Sequence, residues 1–312
     1  MLKDLIVGCL DQQLSFQQKN QKFFLGHGND DSGSSDDGGE NDERTSKRTF
    51  LSDSVHGSAR HRKKKASNGL ALASEFGQPH CFTTMTVNPY CREIQEMLLP
   101  GQTAYQRPDI VARVFHEKKR ALIHNIKNGR YFGGLECEYI MHVIEYQFRG
   151  LPHVHIVYRL KGGSDHDDLP ACKAFIKEYI ITVMPIIKED SNSEDKRYFE
   201  IVSNMHIHSC GKGPNGCIKK DGTCKFHFSD TPKPEFEFDI NGYPIYARPT
   251  VDDCYVVSHV RKMLLDDPDG CHMNTTFCAS NFSVIYLYKY LYKGFFLYYV
   301  YVHALKDFFI YI

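Results

Sequence analysis

The chain has 312 residues, enough for one large core or two modest ones, and its 42% apolar and 24% charged residues are those of an ordinary soluble protein. Lys plus Arg and Asp plus Glu both number 38, so the formal net charge is zero. That balance hides an asymmetry: Asp30, Asp31, Asp36, Asp37, Glu40, Asp42 and Glu43 crowd one Gly/Ser-rich stretch, and outside it 31 acids face 38 Lys and Arg. The excess is compatible with a polyanionic partner, although Lys and Arg cover most soluble surfaces.

The first apolar run, Leu5 to Leu10, is too short for a secretory signal, and Asp4 interrupts its start. With eleven cysteines, an odd number, a reducing compartment is expected, nucleus or cytosol. Residues 28–48 have almost no apolar side chains to repay the entropy of ordering, so residues 1–56 read as a mostly disordered arm, acidic and then basic. The run Arg60 to Lys65 fits a phosphate contact, a solvated arm or a nuclear-import patch equally.

Folded texture is clear from Ala71. Phe82 to Val87 reads as a strand ended by Asn88-Pro89, and Ile110 to Asn128 as a helix closed by Gly129. Leu135 to Phe148 and His153 to Leu160 form two strands joined by a short Gly-containing connection, which suits a hairpin. Lys173 to Val183 is expected to be a helix on that sheet. Strands and helices without a βαβ rhythm favour an α+β domain.

Three patterns carry chemistry. In an extended strand His153 and His155 project from one face, and Glu145 and Gln147 share a face of the preceding strand. Two imidazoles and one side-chain oxygen would leave positions open on a divalent ion, but a His-x-His strand is also an ordinary polar face. Tyr286, Tyr290 and Lys293 lie along one stripe if their segment is helical, either as a packing stripe or as nucleophiles with a nearby cation. His206, His208, Cys210, Cys217, Cys224 and His227 fall in a Gly/Lys-rich stretch, where three Cys and one His would close a tetrahedral zinc site. The spacing is irregular and free thiols fit as well. Cys271, His272 and Cys278 are alternative contributors to that site, although they read better as small buried residues near a strand.

Several segments together resemble the Helitron transposase amino-terminal domain: Phe82-Thr-Thr-Met-Thr-Val-Asn-Pro89, Leu99-Pro-Gly-Gln-Thr103, Arg107-Pro-Asp-Ile-Val-Ala-Arg-Val-Phe115, Gly150-Leu-Pro-His-Val-His155, Asp239-Ile-Asn-Gly-Tyr-Pro-Ile-Tyr246 and Tyr286-Leu-Tyr-Lys-Tyr-Leu-Tyr-Lys-Gly294. They occur in the family's order across residues 57–294. The resemblance implies an HUH relaxase-like fold, a central antiparallel sheet flanked by helices, with a Cys/His-rich insertion at residues 204–230. It makes His153 and His155 metal ligands for Mg²⁺ or Mn²⁺, with Gln147 the third ligand and Glu145 the alternative. Tyr286 and Tyr290 become the nucleophiles, with Lys289 between them. It further implies nicking and strand transfer on single-stranded DNA at transposon ends through a 5′-phosphotyrosine.

The insertion would hold Zn²⁺ through His208, Cys210, Cys217, Cys224 and His227, although Ser209 stands where the family has Gly-Pro. Arg113, Lys118, Lys119 and Lys127 are expected to track the DNA backbone. Residues 295–312, apolar and aromatic, depart from the family's charged continuation, and no Gly-x-x-x-x-Gly-Lys-Ser/Thr motif occurs. The expectation is a family domain cut short before its helicase, which a separate chain would supply. Neither a membrane nor a small-molecule substrate is expected, since the tail is short for a span and Lys306-Asp307 interrupts it. The alternative reading is an inactive, transposon-derived DNA-binding module.

Overall fold

The structure, a computed structural model, describes Phe16, Lys19 and residues 52–53, 58–146, 151–163, 166–211, 216–239, 244–267, 270–278 and 300–304. The chain divides into two compact units, Met1–Ser67 and Asn68–Ile312. Ser58 opens helix Ala59–Phe76 as its side-chain cap, accepting from the His61 N–H at 3.1 Å. Lys64 pairs with Asp53 at 2.6 Å. The basic run Arg60 to Lys65 is therefore helical.

The second unit is built on a five-stranded sheet in the spatial order His272–Phe277, Cys81–Thr86, Pro152–Leu160, Cys137–Tyr146, Val300–Ala304. Its strands are β1 (Cys81–Thr86), β2 (Cys137–Tyr146), β3 (Pro152–Leu160), β6 (His272–Phe277) and β7 (Val300–Ala304), and every neighbouring pair is antiparallel. The architecture is the expected α+β one with a central antiparallel sheet. A two-stranded ribbon, β4 (Glu237–Phe238) with β5 (Pro244–Ile245), stands apart from the main sheet.

Strand register sorts the side chains onto two faces, because successive residues alternate. One face carries Cys81, Thr83 and Met85, then Val154, Ile156 and Tyr158, then Ile140 and Ile144, then Met273, Thr275 and Phe277. All are buried. Helices Pro108–Lys127 and Leu169–Tyr179 join the same apolar core through Ile110, Val114, Phe115, Leu122 and Ile126, and through Phe175 and Ile176. Thr83 Oγ1 lies 3.0 Å from both Tyr158 Oη and Thr275 Oγ1, so these three hydroxyls are matched across three strands. Ile156 is fully buried in it, and truncation to Ala costs about 2–5 kcal/mol.

Helix Pro108–Lys127 starts on its proline and ends in a Schellman turn. The Gly129 N–H bonds the Ile126 carbonyl at 3.2 Å and the Arg130 N–H bonds that of Asn125 at 3.1 Å, with Gly129 at φ 69°. The next core helix runs from Leu169 to Tyr179 rather than from Lys173 to Val183. Asp168 caps it by accepting from the Ala171 N–H at 3.0 Å, and the chain leaves the helix because Ile181 and His259 exchange backbone hydrogen bonds of 2.8 and 3.0 Å.

Residues 300–304, read from sequence as part of an out-of-family tail, pair with β2 from Tyr139↔Ala304 to Val143↔Val300. Their Val-Tyr-Val alternation suits a strand. No helix among the described residues is long and apolar enough to cross a membrane.

Candidate functional site

The sheet's second face gathers polar side chains in one patch. Register sets Glu145 of β2 opposite His153 of β3, His153 opposite Thr86 of β1, and Thr86 opposite His272 of β6, so four strands present these residues side by side. Glu145 Oε2 is 3.1 Å from His155 Nε2, Thr86 Oγ1 is 2.6 Å from His153 Nδ1, and the two imidazole centroids are 4.5 Å apart. Both histidines are buried. Burial, with the nearby His155 and His272 rings, pushes the His153 pKa down to about 3. At neutral pH His153 therefore keeps the uncharged imidazole that a metal requires. Phe82 leans on His155 at 5.7 Å between ring centroids and closes one side of the patch.

Gln147, Tyr286, Lys289 and Tyr290 lie outside the described residues. Of the two candidate oxygen donors, Glu145 is therefore the one whose place beside His155 is seen.

A second cluster is more tightly gathered. The ligand atoms of His208, Cys210, Cys217 and Cys224 all lie within 4.8 Å of one another, the closing geometry of a Cys₃His metal site. His208 Nε2 is 3.4 Å from Cys217 Sγ and 3.5 Å from Cys224 Sγ. His227 lies outside this group and sits at φ 63°, where it closes the turn after Cys224. The chain brings the ligands together with a short hairpin, in which Lys219 donates to the Thr223 carbonyl at 2.8 Å and Lys225 to that of Cys217 at 2.8 Å. Burial raises the Cys210 thiol to about 12, helped by its Cys224 and Cys217 neighbours. Burial also pushes on Cys224, but the Phe226 and Phe228 N–H groups, with Cys210 and Cys217, outweigh it and lower that thiol. Backbone N–H groups aimed at one sulfur are the usual surroundings of a bound thiolate. The cluster is consistent with Zn²⁺.

The chain matches the family model described as the Helitron helicase-like domain at the N-terminus, over residues 2–158. The chain belongs to the Helitron helicase-like family. Membership supports a transposon-related function, and the matched span includes β1, the helix Pro108–Lys127 and the β2–β3 hairpin as far as Tyr158, with its His pair. No curated protein matches the chain.

Not all four cations expected to track DNA on this Helitron domain are placed to do so. Lys118 reaches Glu93 at 2.7 Å and Asp267 at 2.6 Å, and its side chain is only 13% exposed. It holds helix Pro108–Lys127 to its surroundings, and two carboxylates compensate its charge. Lys119 is buried, and burial lowers its pKa as it does that of half-buried Lys127. Arg113 is exposed, although Asp109 takes part of its charge at 3.2 Å. The reason is amphipathicity: this helix is covered on more of its circumference than its apolar stripe suggested.

Sequence reasoning missed Thr86 and His272. The alternation of Phe82, Thr84 and Thr86 could have put Thr86 on one face, but only the β1–β3 and β1–β6 registers bring it between two histidines. Behind His272, His206 stacks on it at 5.2 Å with rings 6° apart, and accepts from the Met273 N–H at 3.3 Å. His206, read as part of the metal stretch, is thus a core residue with a pKa lowered to about 3, chiefly by burial.

Proposed function

We propose that this Helitron domain nicks and rejoins single-stranded DNA at transposon ends, working in the nucleus with a divalent cation and with tyrosine as nucleophile. The observation that carries the reading is the Glu145, His155, His153 and Thr86 constellation on a sheet of a Helitron helicase-like chain. The residues fit Mg²⁺ or Mn²⁺. Two imidazoles and one carboxylate are a mixed nitrogen and oxygen donor set, and three donors leave room for phosphate oxygens. When bound, the cation supplies positive charge at the scissile phosphate.

The chain's own residues do the rest. Thr86 fixes the His153 ring, and Glu145 holds His155 while contributing its negative charge. Tyr286 or Tyr290 loses its phenolic proton and attacks phosphorus, forming the Tyr–O–P bond. The P–O3′ bond breaks, and the departing oxygen keeps its electron pair and takes a proton. The products are a 5′-phosphotyrosine and a free 3′-hydroxyl. Lys289 lies between the two tyrosines in sequence and would stabilise the phenolate and the phosphate. The second tyrosine would serve strand transfer, and a helicase on a separate chain would supply unwinding.

The test is incubation of the purified chain with labelled single-stranded oligonucleotides and Mn²⁺. A cation-dependent covalent adduct, lost in His153→Ala and His155→Ala, is expected. DNA binding with no adduct under any cation would overturn the reading and leave a non-cutting DNA-binding module.

A further inference from the structure

The Cys/His segment holds two phenylalanines that are used differently. Phe228 is spent inside: it stacks on His208 at 4.2 Å with rings 16° apart, faces Tyr255 at 6.3 Å, and takes the Arg248 guanidinium at 4.8 Å. Phe226, two residues earlier, is 57% exposed. His208 meets its ring nearly perpendicularly at 5.8 Å, and Lys225 Nζ covers it at 5.0 Å.

The hairpin that carries Phe226 is also cationic. Lys219, Lys220 and Lys225 are exposed, and the one acid at the tip, Asp221, is exposed as well but occupied locally, accepting from the Thr223 N–H at 2.9 Å and its hydroxyl at 2.7 Å, so three cations face one acid. Gly222, at φ 83°, makes the reversal that aims the tip outward. The lysines are strung on a rigid turn rather than a loose loop, since backbone bonds from Lys219 to Thr223 and from Lys225 to Cys217 fix it.

We propose that this hairpin tip is a contact for single-stranded DNA, with Phe226 stacking on a base and Lys219, Lys220 and Lys225 facing the flanking phosphates. An exposed ring beside cations is what a nucleic-acid strand with open base faces needs. A duplex hides those faces, and a second copy of the hairpin would bring like charges together. The inference rests on the reading that this domain handles single-stranded DNA, and it is independent of whether the domain cuts it.

The test uses the full chain, zinc-loaded and without other divalent cations, and follows the anisotropy of fluorescent oligothymidylate across a salt series. Phe226→Ala is expected to weaken binding roughly 5- to 150-fold, the loss of about one base stack, and Phe226→Tyr to restore it. Lys219→Ala with Lys220→Ala should reduce the slope of log affinity against log salt by up to about 1.4. Tyr90→Ala, at another exposed aromatic, should change nothing. Wild-type binding that neither variant weakens overturns the hairpin contact and leaves the wider reading standing. Unlabelled duplex competing as well as single strand refutes the stacking. A wild-type chain that binds no oligonucleotide at any salt overturns both.

Discussion

Thr86 Oγ1 lies 2.6 Å from His153 Nδ1, across a strand pairing that joins residues 67 positions apart in sequence. If Nδ1–H donates to the threonine oxygen, the lone pair of Nε2 is left for a cation, and the ring cannot turn without losing the bond. Thr86→Val keeps the shape and removes the acceptor. Mn²⁺ affinity, read by paramagnetic resonance of the free ion, should fall about 10- to 100-fold in Thr86→Val and recover in Thr86→Ser. Equal affinities in all three proteins would remove Thr86 from the site.

The Cys/His cluster makes a sharper claim about which histidine binds. Cobalt substitution should give the sulfur-to-metal absorption of a tetrahedral thiolate site. His208→Ala or Cys217→Ser should weaken or abolish it, whereas His227→Ala should leave it intact, because His227 is outside the group of converging ligands. Retention in His208→Ala and loss in His227→Ala would reverse the assignment.

Lys118 sits between Glu93 and Asp267, so its role is expected in stability rather than in DNA affinity. Lys118→Met strands two carboxylates, one of them 11% exposed, and should cost roughly 1–3 kcal/mol in denaturant unfolding. At matched folded fraction, oligonucleotide affinity should match wild type. A loss of affinity with unchanged stability would restore the lysine to the DNA interface.

His259 gives the fold an acid limit. Its Nε2 is 2.6 Å from Tyr198 Oη and its Nδ1 2.8 Å from the Val257 carbonyl. Tyr198, the His206 ring and Arg261, which lies over Tyr198, are the ionisable groups around it. Burial lowers the His259 pKa to about 4. Above about pH 6.5 the imidazole is neutral in both folded and unfolded chains, and its contribution is complete. As pH falls from about 6.5 to about 4 the unfolded chain takes the proton first, and stability is lost, on the order of 3 kcal/mol. Unfolding free energy followed against pH should fall across that window, and less steeply in His259→Gln; identical profiles would contradict the burial argument.

What could be read in the sequence, and what could not, divides by distance along the chain. The hairpin with His153 and His155 was legible because period-two alternation and a short connection are local signals. Glu145 was legible as a candidate for the same reason. Thr86 and His272 were not, since their placement depends on strands that pair across 67 and 186 positions. Lys118 looked like a solvated helix cation because Asp267, its partner, is 149 residues away. The preference of the Cys/His cluster for His208 over His227 follows from the fold of the Cys217–Cys224 hairpin, and spacing alone could not rank them.

Attack by a tyrosine would leave the chain covalently joined to a DNA 5′ end, and peptide mapping of the trapped species locates that bond. After reaction with single-stranded DNA and Mn²⁺, nuclease trimming and proteolysis, mass spectrometry should find a 5′-phosphonucleotide on Tyr286 or Tyr290. The double variant Tyr286→Phe, Tyr290→Phe should bind DNA and give none. An adduct that persists in the double variant, or one that maps to any other residue, would contradict attack by these tyrosines.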